Sequence, residues 1–111
     1  MMKRNGLYYF MWSSGNWKND TYCVYYTTAA SPLGPFEGGE KILATQLPLA
    51  EGPGHHGYIY LEDTDEYLIV YHRRTPGSDL GVGANRTICI DRMPMQDEKI
   101  LPVQMTKEWT L

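Results

Sequence analysis

The sequence predicts an all-β fold of two consecutive four-stranded antiparallel sheets, and three observations carry that reading. Short segments rich in Tyr, Val, Ile and Thr alternate with clusters of Gly, Pro, Asn and Asp, the punctuation of strands and turns. Aromatic residues make up 13% of the 111 residues, nine of them Tyr and three Trp, and such rings favour pleated, half-buried surfaces. Almost nothing carries the apolar period of a helix.

Residues 1–4 read as the tail of a strand whose beginning is missing. Residues 7–13 and 22–28 are rich in Tyr, Phe, Val and Thr, and the turn-forming run 14–20 separates them. Pro32, Gly34, Pro35, Gly38 and Gly39 then break the chain before a short strand at 41–44. Residues 51–54 form a glycine-proline turn, so the two sheets divide within 44–53. The second half repeats the layout with strands at 58–61, 67–73, 86–92 and 100–105. Acidic residues 62–66 make its first tight turn, and 75–84 make a long loop with three glycines. The expected units are 1–47, lacking the start of its first strand, and 52–106. A small eight-stranded β-sandwich is the competing architecture.

Composition narrows the function. The net charge of −3 leaves no basic stripe, so nucleic acid is not an expected partner. No apolar run approaches the roughly 20 residues that cross a bilayer, so no membrane partner is expected. The N-terminus Met1-Met-Lys-Arg-Asn5 has no apolar core behind its charges, which predicts no secretory signal and favours a cytoplasmic location. Cys23 and Cys89 lie in apolar alternating stretches and read as two small buried thiols, although sequence alone leaves a disulfide open.

Polar chemistry gathers at strand ends. Gly52-Pro-Gly-His55-His56-Gly57 delivers two imidazoles to one strand, the next ends in His72, Arg73 and Arg74, and a third begins with Arg86. Such groups suit oxygen-rich ligands or the hydration shell of a hard ion. Side chains alternate faces along a strand, so at most two of His72, Arg73 and Arg74 face one way. They read as structural or surface residues.

Five pieces in order along the chain carry a resemblance: Asn5-Gly-Leu-Tyr-Tyr-Phe-Met-Trp-Ser-Ser-Gly15, Ser31-Pro-Leu-Gly-Pro-Phe36, Gly52-Pro-Gly-His-His56, Tyr71-His-Arg-Arg74 with Arg86, and Cys89-Ile-Asp-Arg-Met93 running on to Ile100-Leu-Pro-Val-Gln-Met-Thr106. Together they resemble the end of the catalytic domain of family 43 glycoside hydrolases. Those are five-bladed β-propellers acting on arabinose- and xylose-containing polysaccharides. The resemblance implies that the two sheets are the fourth and fifth blades of a partial β-propeller. It also implies plant cell-wall polysaccharides or pentose oligosaccharides as partners. In that family the histidine after the Gly-x-Gly turn points into the central channel and holds an ion, often calcium, or an ordered water. That role carries over to His55, with His56 as the neighbouring alternative. The family also places an arginine of the last blade at the sugar, and Arg86 is the matching position. The plainer reading has Arg86 paired with Asp91 or Asp79.

The family inverts the anomeric centre with an aspartate base and a glutamate acid, assisted by a second aspartate. Inversion needs two carboxyl groups roughly 6.5–9.5 Å apart with a water between them. By the family pattern all three carboxylates fall before Met1, so the isolated chain is expected to be inactive. Glu51-Gly-Pro53 looks superficially like the acid's motif, which makes Glu51 a weak catalytic candidate, but its place before Gly54-His-His56 reads as a solvated turn. The acidic run 62–66 could hold calcium weakly, although it lacks the spacing of a dedicated loop. No cofactor is required. Uncovered blade faces predict a homo-oligomer or further blades as partners. The alternative to a hydrolase fragment is a carbohydrate-binding or oligomerising β-module.

Overall fold

The computed structural model describes residues 1–16, 21–47, 49–74 and 86–106. Among these, strands β1 (Met2–Arg4), β2 (Leu7–Ser14), β3 (Cys23–Ala29) and β4 (Glu40–Leu43) form one antiparallel sheet in the order β1-β2-β3-β4. Strands β5 (Glu51–Leu61), β6 (Glu66–Arg74) and β7 (Arg86–Arg92) form the second, in the order β5-β6-β7. A short hairpin, β8 (Met95–Gln96) with β9 (Lys99–Ile100), follows. The expected loop at 75–84 and part of the turn at 14–20 lie outside the described residues.

Turn chemistry sets the registers. Asn5 and Gly6 both take positive φ, 50° and 82°, between the paired residues Arg4 and Leu7. That is the two-residue turn whose twist matches antiparallel strands. The Ser31–Gly34 turn is closed by the Gly34 amide donating to the Ser31 carbonyl at 3.0 Å.

One core joins the sheets. Tyr9, Val24, Tyr26, Ile42 and Leu43 of the first pack in the same buried cluster as Tyr67, Ile69, Tyr71 and Cys89 of the second, with Met93, Ile100, Val103 and Met105 completing it. Cys23 and Cys89 are both buried and free.

Two expectations are corrected. The eighth strand does not join the second sheet, which has three strands among the described residues. Pro102 has no amide to donate, and the next amide, that of Val103, donates to Ile42 of β4 at 2.7 Å. The Gln46 side chain donates to the Val103 carbonyl at 3.1 Å. The backbone at Val103 therefore pairs with the first sheet, while Thr106 is held by Arg73 and Asp91 of the second. The second correction concerns residues 51–54, which are the start of β5 and not a turn. Glycine there marks an irregular strand: the ladder shifts register between Glu51 and Gly54 and again between Gly54 and Gly57.

The far ends of the sheets are tied by charge. Arg4 donates two hydrogen bonds to the Asp65 carboxylate, at 2.7 and 2.8 Å, and Tyr60 donates a third at 2.8 Å. Arg4 first and Tyr60 second hold the Asp65 carboxyl well below the usual range. Asp65 is thereby occupied by a guanidinium, which weakens the acidic run as a calcium loop.

Candidate functional site

The strand starts and ends that carry imidazoles and guanidiniums meet at one rim of the second sheet. Arg74 pairs across the ladder with Glu51 on one side and Arg86 on the other. His72 pairs with Gly54 and Ile88 in the same way. Strands β5 and β7 are both antiparallel to β6, so their starts share that rim. His55 and Arg86 are thus not on adjacent strands: β6 lies between them, and His72 is the side chain it contributes there.

His55 sits at φ 50° within the second register shift, between Gly54 and Gly57, and is exposed. Its amide donates to the Ser13 hydroxyl of β2 at 3.0 Å, and the Gly52 amide donates to the Thr45 hydroxyl at 3.0 Å. The His55 ring stacks on His72 with centroids 5.5 Å apart, and His72 stacks in turn on Tyr22 at 6.1 Å. Gly54 makes this possible, because a Cβ there would stand 2.2 Å from the Tyr22 ring.

Buried and unpaired polar atoms cluster here. The Nδ1 atoms of His56 and His72 are buried without a hydrogen-bond partner. An open cavity of about 370 Å³ is lined by both of them with His55, Gly57, Val70, Tyr71 and Ile88. Arg86 lies outside that lining. Arg74 is 2% exposed, and its Nη1 stands 3.6 Å from a Glu51 carboxylate oxygen. Neither Nη atom of Arg74 makes a hydrogen bond. Glu51 therefore faces a buried cation and not open solvent, which corrects its reading as a solvated turn acid.

The alternative partners of Arg86 fare differently. Asp91 is buried and occupied: it accepts from the Tyr71 hydroxyl at 2.5 Å and from the Thr106 hydroxyl at 2.6 Å. Asp79 lies outside the described residues. Arg73 donates to Tyr71 at 3.3 Å and to the Thr106 backbone carbonyl at 2.6 Å, closing a ring of four residues, Arg73, Tyr71, Asp91 and Thr106.

Calcium takes six to eight oxygen ligands. Among the described residues no three His, Cys, Asp or Glu side chains are grouped to hold an ion. His55 supplies one nitrogen, so these residues alone do not fit a calcium cage.

Burial holds the His56 and His72 imidazoles below their usual range, assisted by His55 beside His56 and by Arg86 and His55 beside His72. On acidification the unfolded chain then binds these protons first, so stability falls as pH drops below about 6.5. Asp65, whose folded value is depressed, contributes stability that is lost only as pH falls below about 4. We expect urea midpoints to decline in those two stages, with His72→Phe reducing the first and leaving the second.

The sequence profile of "Glycosyl hydrolases family 43" matches residues 1–100. The chain is 42% identical over 110 residues to "Beta-D-galactofuranosidase xynD" of Aspergillus niger, covering 97% of this chain and 32% of that protein. The crystal structure of a thermostable family-43 glycoside hydrolase superposes with a TM-score of 0.83 at 31% identity, over 99% of this chain and 36% of that one. The GH43 BlXynB protein from Bacillus licheniformis shares the fold at 19% identity, with a TM-score of 0.76 over 92% of this chain and 20% of that one. The chain spans about a third of the length of its first two relatives. Sheet order, turn positions and these matches agree: the chain belongs to family 43 of the glycosyl hydrolases, as two consecutive blades of a β-propeller.

Proposed function

We propose that these two blades form part of an enzyme that hydrolyses O-glycosidic bonds in arabinose- or xylose-containing polysaccharides. In this reading they wall one side of its sugar site. The observation that carries it is the gathering of His55, His72 and Arg86 around β6 at a single rim, in a chain of this family. Arg86 would bond a sugar hydroxyl or a carboxylate through its planar fork. His55 would give one imidazole to a channel ion or ordered water, whose other ligands come from waters or from elsewhere in the propeller. The Aspergillus niger relative is named for galactofuranosides, which makes that furanoside the first substrate to compare with the two pentosides.

In this reading the base, its helper and the acid lie in other blades, and the isolated chain does not catalyse. General acid and base groups contribute on the order of 10²–10⁴-fold each, so their joint absence leaves little turnover. Assayed on aryl arabinofuranosides and xylosides, the chain and its Glu51→Gln variant are both expected at the buffer rate. Clear turnover that disappears in Glu51→Gln would make Glu51 the acid and overturn the proposal.

The exposed apolar side chains at Ile59 and Ile88 on one sheet and Phe10 on the other suit burial by further blades or, for the isolated chain, by a second copy. A carbohydrate-binding module is the second reading. It rests on the ring row of Phe10, Trp12 and Tyr25, spaced 5.7 and 5.8 Å apart on the first sheet.

A further inference from the structure

Three rings from three segments form one stack at the rim. Tyr22 precedes β3, His72 lies near the end of β6, and His55 sits in the irregular start of β5. The centroid separations are 6.1 and 5.5 Å, with interplanar angles of 24° and 15°. His55 needs such support. Its backbone is in the left-handed region, and it lies between Gly54 and Gly57, where the pairing of β5 to β6 shifts register. Among the described residues it is held by the hydrogen bond from its amide to the Ser13 hydroxyl and by the face of His72.

The geometry points to His72 as a positioning residue, whose ring, backed by Tyr22, fixes the direction of the His55 imidazole. Its Nδ1 atom is buried without a hydrogen-bond partner, so the flat face performs this task and not that nitrogen. Another flat ring of similar size therefore replaces it, and a methyl group does not. Offset ring pairs are attractive beyond the area they bury, and Gly54 leaves the space that Tyr22 needs to complete the stack. The consequence for sugar binding rests on the function proposed above, but the stack itself needs no ligand.

The test is NMR on the chain with its histidines carbon-13 labelled. Ring protons of His55 lying over the His72 face resonate upfield of free histidine. His72→Phe retains that displacement. His72→Ala loses it, while the amides of Ile69 and Cys89 report an intact sheet. Should His72→Ala fail to fold, Tyr22→Ala removes the backing ring and moves His55 part of the way. Unmoved His55 resonances in either folded alanine variant, or a folded His72→Phe that releases His55, overturn the inference. In oligosaccharide titrations His72→Ala binds roughly two- to tenfold more weakly, and His72→Phe is near the parent. A parent chain whose His55 ignores sugar would sink the sugar-site reading and leave the stack to be judged on the ring-proton shifts alone.

Discussion

Replacing Asp91 with alanine is expected to cost about 3–6 kcal/mol of folding stability, from the loss of its two short hydrogen bonds to a charged group at about 1.5–3 kcal/mol each. Asp91 is 4% exposed and accepts from Tyr71 at 2.5 Å and from the Thr106 hydroxyl at 2.6 Å. Burial first and Asp91 second push the Tyr71 hydroxyl far above its usual range, so it remains a donor throughout the accessible pH range. Alanine strands that hydroxyl and frees the segment that carries Val103 and Met105 into the core. Urea denaturation measures the loss, and Tyr71→Phe should cost less, about 1.5–3 kcal/mol, because the carboxylate retains Thr106. Equal costs for the two variants would mean that the network does not hold the C-terminal segment.

The second large effect concerns the buried ion pair at the rim. Arg74→Met leaves the largely buried Glu51 carboxylate uncompensated, and Glu51→Leu does the same to Arg74. Each is expected to destabilise by about 3–5 kcal/mol. The double variant Glu51→Leu with Arg74→Met should recover most of that, since a buried pair at 3.6 Å with unsatisfied guanidinium nitrogens repays its desolvation poorly. A double-mutant cycle in urea reads the coupling. Additive losses would show that the two charges are independent and that Glu51 has another partner.

Much of the fold was legible because local signals and tertiary structure agree. The Tyr-, Val- and Thr-rich runs are strands β2, β3, β6 and β7, and the division expected within 44–53 falls between the end of β4 at Leu43 and the start of β5 at Glu51. The misses have physical causes. Gly52, Pro53 and Gly54 have turn composition, yet they belong to a strand whose ladder is twice interrupted, a distinction set by its partner β6. The β8–β9 hairpin turns on Asp97 and Glu98, both at positive φ, so no glycine marked it. Pro102 does mark where the last segment cannot pair normally, but only the position of Ile42 says where its backbone goes.

The site was legible in kind and not in arrangement. Imidazoles and guanidiniums at strand ends announced polar chemistry, and the family pattern singled out His55 and Arg86. His72 was read as structure or surface because alternation along one strand says nothing about what stands across from it. Its cross-strand partner Gly54 carries no side chain, and that pairing would have singled it out had the register been known. Arg74 was likewise invisible as the partner of Glu51, 23 residues away in the sequence.

The claim that this rim belongs to a sugar site is tested most directly by titrating the labelled chain with arabinose and xylose oligosaccharides. Chemical shifts should move at His55, His72 and Arg86 together, with millimolar or weaker affinity, on the order of −4 kcal/mol, because two blades wall only part of the site. Shifts centred instead on Phe10, Trp12 and Tyr25, with the rim unmoved, would contradict it and identify a carbohydrate-binding module.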